Sequence, residues 1–304
     1  MLGSIAAEIL NRPGSGHVEA VFETTFYVAV NSQLICVGRI DMKPGPVNCI
    51  TRTSNTMDWR ISGLKHGVAV TIGSKTITVG DKFQFPLNRT RIWHPKTPAR
   101  NLEAGKIGKG IAALQRALTS RDDIDGLGCF LIPKYRPKPN DYVCRAAEKP
   151  MGDAGKWLRA GLRPHGTDAM KDLAWVEKLS GLGPGLTPSG DDFLGGIMIA
   201  LHALGNASLS QQLWPTINRY TEEYSNPISL THLSAASNGL GAAAIHEMLT
   251  AVLNGDVAAI DTAICDVAAI GHSSGWDIMA GVLTTLEVWL AVAAAKPTPD
   301  LILT

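Results

Sequence analysis

The chain has almost no excess of charge of either sign. Its 304 residues hold 28 Lys and Arg against 27 Asp and Glu, a formal net charge of +1. That balance argues against a partnership with nucleic acid or an anionic membrane driven by electrostatics. Cysteine is scarce and scattered: Cys36, Cys49, Cys129, Cys144 and Cys265 form no C-x-x-C and no close Cys/His pair. A zinc site is therefore not expected, and the thiols suit buried positions in a reducing compartment, so the expected location is the cytoplasm. A basic n-region followed by a long apolar run is missing, so no signal peptide is expected. No charge-free apolar run reaches membrane-spanning length; the nearest, Trp276 to Ala295, contains Asp277 and Glu287. Walker A, Rossmann, EF-hand, H-E-x-x-H and G-x-S-x-G patterns are all missing.

What is present allows a large core. Hydrophobic residues make up 45% and charged residues only 18%, in a length that accommodates two domains or one large one. The two halves read differently. Residues 4–11 suit a short helix. From His17 to Val30, Leu34 to Ile40 and Val47 to Thr51 the residues are strand formers, broken at Asn31-Ser32 and Pro44-Gly45-Pro46. Val68 to Ile72 and Thr76 to Val79 flank Gly73-Ser74-Lys75, a hairpin pattern, and Phe83 to Phe85 and Thr90 to Trp93 add short strands. Residues 108–119 are helical in pattern and Leu127 to Ile132 reads as one more strand. Arg89, Arg91, His94, Lys96 and Arg100 form a local basic group, either a solvated loop or an arm toward an anionic ligand. Lys134 to Asn140, KYRPKPN, is the best linker candidate. Beyond Asp153 the pattern is helical, over 153–162, 168–179, 190–204, 208–224, 228–253, 256–270 and 275–295, with Asn238 to Gly241 dividing or kinking the fifth span. The expectation is an α+β chain: a β-rich, barrel- or sandwich-like domain over 1–148 and an all-helical domain over 149–304.

The densest signal is Gly181 to Gly196, GLGPGLTPSGDDFLGG. Gly181, Gly183 and Gly185 allow close backbone approach, and Thr187, Pro188 and Ser189 lead into an apolar helix. Its start suits an anion, because unpaired N–H groups and the positive end of the helix dipole point outward there. The pattern recurs. PSGDDFLGGIMIAL at 188–201 aligns with SSGWDIMAGVLTTL at 273–286, so that Ser189, Gly190, Asp192 and Gly196 match Ser274, Gly275, Asp277 and Gly281. Each copy contains S-G-x-D, which reads as a capping box, Ser189 with Asp192 and Ser274 with Asp277. Either the match is a coincidence of common caps, or the two helix starts face one site from two sides. In the second case Asp191 and His272, which lack a capping duty, line that site as acid, base or ligand donors. Thr187, Ser189, Ser273 and Ser274 offer hydroxyls, and Gly183, Gly185, Gly190 and Gly275 keep side chains clear. Magnesium bridging a ligand to Asp191 is the one metal role left open.

GLGPGLTPSGDD at 181–192 and IGHSSGWD at 270–277 resemble the two signature motifs of the AllH-type subunit of oxamate carbamoyltransferase, a family associated with purine and allantoin catabolism. ISLTHLSAASNG at 228–239 resembles the apolar helix and small-residue turn between them. The resemblance covers residues 175–290. It implies a subunit of a multi-protein transferase that exchanges a carbamoyl group between oxamate or oxalurate and phosphate, through carbamoyl phosphate. All of these ligands are small anions. Two classes of function stay open: an enzyme subunit with Thr187, Ser189, Asp191, His272 and Ser274 in the site, or a non-catalytic assembly or anion-sensing subunit in which the motifs are packing features.

Overall fold

The computed structural model describes residues 1–88, 90–96, 101–132, 141–163 and 172–295. It shows a β-rich N-terminal region followed by a helical one, an α+β chain as the two halves of the sequence suggest. The chain divides into two compact units, Met1–Lys96 with Leu240–Ala243, and Thr97–Gly239 with Ala244–Thr304. The division thus falls well before residue 148, because the first long helix after the strands already belongs to the helical unit. The linker candidate KYRPKPN lies outside the described residues, as do Arg89 and Arg100 of the basic group.

The β unit is one curled nine-stranded sheet. Its strands are β1 (Leu2–Gly3), β2 (Gly14–Val21), β3 (Thr25–Val30), β4 (Gln33–Gly38), β5 (Asn48–Ile50), β6 (Ala69–Ile72), β7 (Thr76–Val79), β8 (Phe83–Pro86) and β9 (Ile92–Trp93), with one helix, α1 (Ser4–Leu10). Their spatial order is β8-β7-β6-β2-β3-β4-β5-β1-β9. The expected continuous strand from His17 to Val30 is two strands, because residues 22–24 turn and Phe26 pairs back on Val21. Asn31 and Ser32 both take positive φ, the geometry of a two-residue hairpin that matches strand twist. Alternation does the rest: Phe26, Val28 and Val30 point inward, meeting Val37, Val70, Ile77 and Trp59 in a buried core. The Trp59 ring sits edge-on to Phe26 at 4.8 Å and to Phe83 at 5.4 Å.

The helical unit contains α2 (Ala104–Thr119), α3 (Tyr142–Gly161), α4 (Ala174–Leu179), α5 (Ser189–Ala203), α6 (Ala207–Tyr224), α7 (Pro227–Ser237), α8 (Ala243–Asn254), α9 (Val257–Ala268) and α10 (Ser274–Ala294). Helix α3 starts earlier than expected because Asp141 caps it, accepting from Cys144 N at 2.9 Å, and Pro150 is tolerated within it. The strand expected at Leu127–Ile132 is instead a 3-10 segment, Gly126–Leu131. Its buried leucines face helices, and among the described residues the unit offers no sheet to join. The cysteines depart from expectation in one case: Cys265 is exposed, while the other four are buried.

Helices α5 and α10 form the centre of this unit. Residues 189–201 of α5 are all buried, the signature of a helix surrounded on every side. Among the described residues, α10 is long and apolar enough to cross a membrane, but more than half of it is packed inside the unit. What lets α5 and α10 touch is a pair of glycines. A Cβ at Gly196 would overlap the Ile278 carbonyl oxygen, and one at Gly281 would overlap the Phe193 carbonyl oxygen. Phe193 and Ile278 are themselves equivalent in the sequence repeat, so the contact is reciprocal: each helix presents its glycine to the matching carbonyl of the other.

Candidate functional site

The two S-G-x-D helix starts lie together, but neither is a capping box. Helix α5 begins at Ser189 with Pro188 as N-cap, and α10 begins at Ser274 with Ser273 as N-cap, neither making a side-chain cap bond. The serines are first-turn residues, one place too far along to cap, and they turn instead to the opposite helix. Ser274 and Thr187 set their hydroxyls beside the Asp192 carboxyl. Ser189 and Ser273 do the same for Asp277. The Thr187 and Ser274 hydroxyls are also 2.9 Å apart, joining the glycine loop to the start of α10. Each repeat therefore supplies a carboxylate to its own helix and a serine to its partner.

The two carboxylates are deeply enclosed. Asp192 is 8% exposed and Asp277 is inaccessible. Asp277 Oδ1 accepts the Leu127 N–H at 2.6 Å, from the 3-10 segment. Asp192 Oδ2 and Asp277 Oδ2 have no hydrogen-bond partner. Burial pushes Asp277 up to about 6 and Asp192 well above the usual carboxylate range, and for Asp192 the neighbouring Asp277 and Asp191 charges push further in the same direction. Helix N-termini favour negative charge, yet here desolvation outweighs them. Asp192 therefore keeps its proton to higher pH than an exposed carboxyl does, with the Thr187 and Ser274 hydroxyls beside it.

Asp191 has a duty the sequence did not show. Its Oδ1 accepts from Gly181 N at 2.8 Å, and its Oδ2 accepts from Ser225 Oγ and Ser229 Oγ, both at 2.6 Å. It is 1% exposed. Both oxygens are used in tying the glycine loop to the junction of α6 and α7, which leaves it poorly placed to hold magnesium. Among the described residues no group of three or more His, Cys, Asp or Glu is placed to hold a metal ion. His272 takes the opposite position. Its side chain is 89% exposed and its Nδ1 lies 3.1 Å from Asp125 Oδ2, at the rim before α10.

The loop itself rises over these helix starts. Gly181, Gly183 and Gly185 take φ of 71°, 115° and 92°, which side chains rarely adopt. Gly183 must also stay bare because a Cβ there would press on the Ser189 backbone nitrogen. Pro184, Gly185 and Leu186 are exposed. Gly190 and Gly275 are not openings for a ligand: their missing side chains make room for the carbonyls of Leu179 and Val267. Sequence reasoning missed Ser225, Asn226, Ser229 and the Asp125–Leu127 turn. Asn226 caps α7, accepting from Ile228 N at 2.9 Å and Ser229 N at 3.1 Å, while its Nδ2 donates to Leu186 O at 2.9 Å. The Asn-Pro step at 226–227 is the signal that reveals it, an N-cap followed by proline at the first helical position.

The chain has no match among curated proteins and none among solved structures. Residues 179–286 match the model of the family described as oxamate carbamoyltransferase subunit AllH. The matched segment opens at the end of α4, takes in the glycine loop and both helix starts, and closes within α10. Through this segment, in which the two S-G-x-D repeats interlock, the chain is similar to the AllH family of oxamate carbamoyltransferase subunits.

Proposed function

We propose that this chain acts, with other subunits, in moving a carbamoyl group between oxamate or oxalurate, or a related small ureide anion, and phosphate, with carbamoyl phosphate as the second ligand. The observation that carries the reading is the joining of the glycine loop to both helix starts inside the family segment. In the synthetic direction the oxamate nitrogen attacks the carbamoyl carbon, the bond from that carbon to the phosphate oxygen breaks, and the nitrogen gives up one proton. Inorganic phosphate leaves. The accessible groups suited to this are at the rim. Thr187, Ser273 and Ser274 carry hydroxyls, the loop glycines leave backbone N–H groups bare, and His272 beside Asp125 is the accessible acid or base. Asp191 acts as a positioning residue that fixes the loop. Asp192 and Asp277 lie buried beneath it, both with raised proton affinity.

A second reading has its own support. Asp191, Asp192 and Asp277 are all turned inward, which is what a purely assembling or anion-sensing subunit would need from the same motifs. The test separates the two. The complex copurified from its host is assayed for oxalurate formation from carbamoyl phosphate and oxamate. His272→Ala and Thr187→Ala are expected to lower turnover at least about tenfold, close to the smallest effect of losing one proton-transfer or hydrogen-bonding group. The exposed His272 makes its variant a clean one, with no change expected in the melting temperature. Wild-type turnover in both variants leaves the assembly reading.

A further inference from the structure

The curled sheet of the β unit does not close. Strands β8 and β9 are its two ends and are not paired with each other. Along that seam runs a cleft of about 730 Å³, lined on one side by β8 and the turn after it, and on the other by β1, the end of β5 and the residues before β9. This is the size of a small-molecule site. Every residue that lines it belongs to the β unit.

The chemistry of the cleft is one-signed. Arg52 and Arg91 both line it, and among the described residues that line it there is no Asp or Glu. The topology explains how two arginines distant in sequence come to line one cleft: β1 lies between β5 and β9, with Leu2 opposite Cys49 on one side and Ile92 on the other. Arg91 uses its backbone carbonyl to accept from Leu2 N at 2.9 Å. Its guanidinium is not used there. Neither guanidinium makes a hydrogen bond or ion pair among the described residues, in contrast to Arg39, Arg60 and Arg121, each of which is held by an aspartate. Gln84 and Asn88 add uncommitted amides on the facing wall, and Phe85 with Leu87 supplies an apolar surface. Cys49, at the cleft, is no nucleophile, since burial pushes its thiol up to about 12.

We infer that this seam cleft binds an organic anion, a phosphate or carboxylate head taken by Arg52 and Arg91 with an apolar body against Phe85 and Leu87. Guanidinium forks match the planar and tetrahedral faces of such oxyanions, and both arginines are exposed at the cleft, free to turn toward a ligand. The site lies apart in sequence from the family segment, and it stands whether or not the chain transfers carbamoyl groups. It also gives the basic group around residue 91 a role as a ligand contact within its own unit.

The test uses the full chain and three probes: phenyl phosphate, benzoate and inorganic phosphate, followed by calorimetry. Saturable binding of phenyl phosphate or benzoate, at least about tenfold tighter than inorganic phosphate, is expected, and which of the two binds identifies the head group. Arg52→Ala with Arg91→Ala is expected to weaken that binding at least about tenfold, and Arg12→Ala, an exposed arginine elsewhere in the unit, to leave it unchanged. Gln84→Glu places a carboxylate in the cleft without removing an arginine and is expected to abolish binding even if the double variant folds poorly. No saturable binding of any probe overturns the inference, as does unchanged affinity in Gln84→Glu.

Discussion

At the scale of single residues, the three aspartates of the repeated motif do two different jobs. Asp191 is a staple. Removing it strands the buried Ser229 hydroxyl and the part-buried Gly181 N–H and Ser225 hydroxyl, at about 1–3 kcal/mol for a fully buried donor left unsatisfied and less for the other two. Asp191→Ala is therefore expected to lower unfolding stability by about 3 kcal/mol or more, read from urea titration, so that any lost activity in it comes with lost structure. Asp192 and Asp277 instead carry a pH signature. Folding raises both pKa values, Asp277 to about 6. In the folded chain they keep protons that the unfolded chain has already released, so their contribution is fully present below about pH 4 and is lost as pH rises, for Asp277 through about 6. For Asp277 a shift of about two units corresponds to about 3 kcal/mol. Asp192→Asn is expected to flatten the decline as pH rises above about 4 and to be more stable than wild type at neutral pH. Urea midpoints across that range measure it, and an unaltered slope would show that Asp192 is not the proton holder.

At the scale of elements, the central fact is the reciprocal contact of α5 and α10. Helices rarely approach until backbone meets backbone, and here Gly196 and Gly281 permit it at equivalent positions of an internal repeat. Gly196→Ala or Gly281→Ala forces the pair apart and is expected to cost about 3 kcal/mol, at the upper end of overpacking effects. The double variant is expected to cost less than the sum, because one separation accommodates both methyl groups; strict additivity in thermal or urea unfolding would mean that the two contacts are independent. The helix starts follow from the same packing. Once the helices cross at these glycines, the first-turn serines fall beside the opposite carboxylates. A capping box needs the serine at the N-cap, and packing placed it one residue later.

At the scale of the whole molecule, the chain is two compact units, and the similarity of residues 179–286 to a carbamoyltransferase subunit suggests partner subunits. Carbamoyl transfer is accordingly expected in the copurified complex and not in the isolated chain, a comparison one assay makes directly; full turnover by the isolated chain would show that it needs no partner for catalysis. Much of this was legible without coordinates. Alternation from Val18 onward, the Asn31-Ser32 hairpin turn, the apolar periodicities beyond Asp153 and the S-G-x-D repeat all rest on local chemistry, which a sequence states directly. Leu127–Leu131 was not legible, because a short apolar run takes its form from its neighbours and these are helices. Nor was the role of Asp191, whose donors Ser225 and Ser229 are brought to it by the turn between α6 and α7. By itself the sequence determined the order of strands and helices, the glycine loop and the repeat, since each depends on backbone preference and the spacing of apolar residues. Only the tertiary structure decided which carboxylates are buried with raised proton affinity, which histidine is left in solvent, and where the sheet fails to close and leaves two arginines unpaired among the described residues, because each depends on distances between residues far apart in the chain.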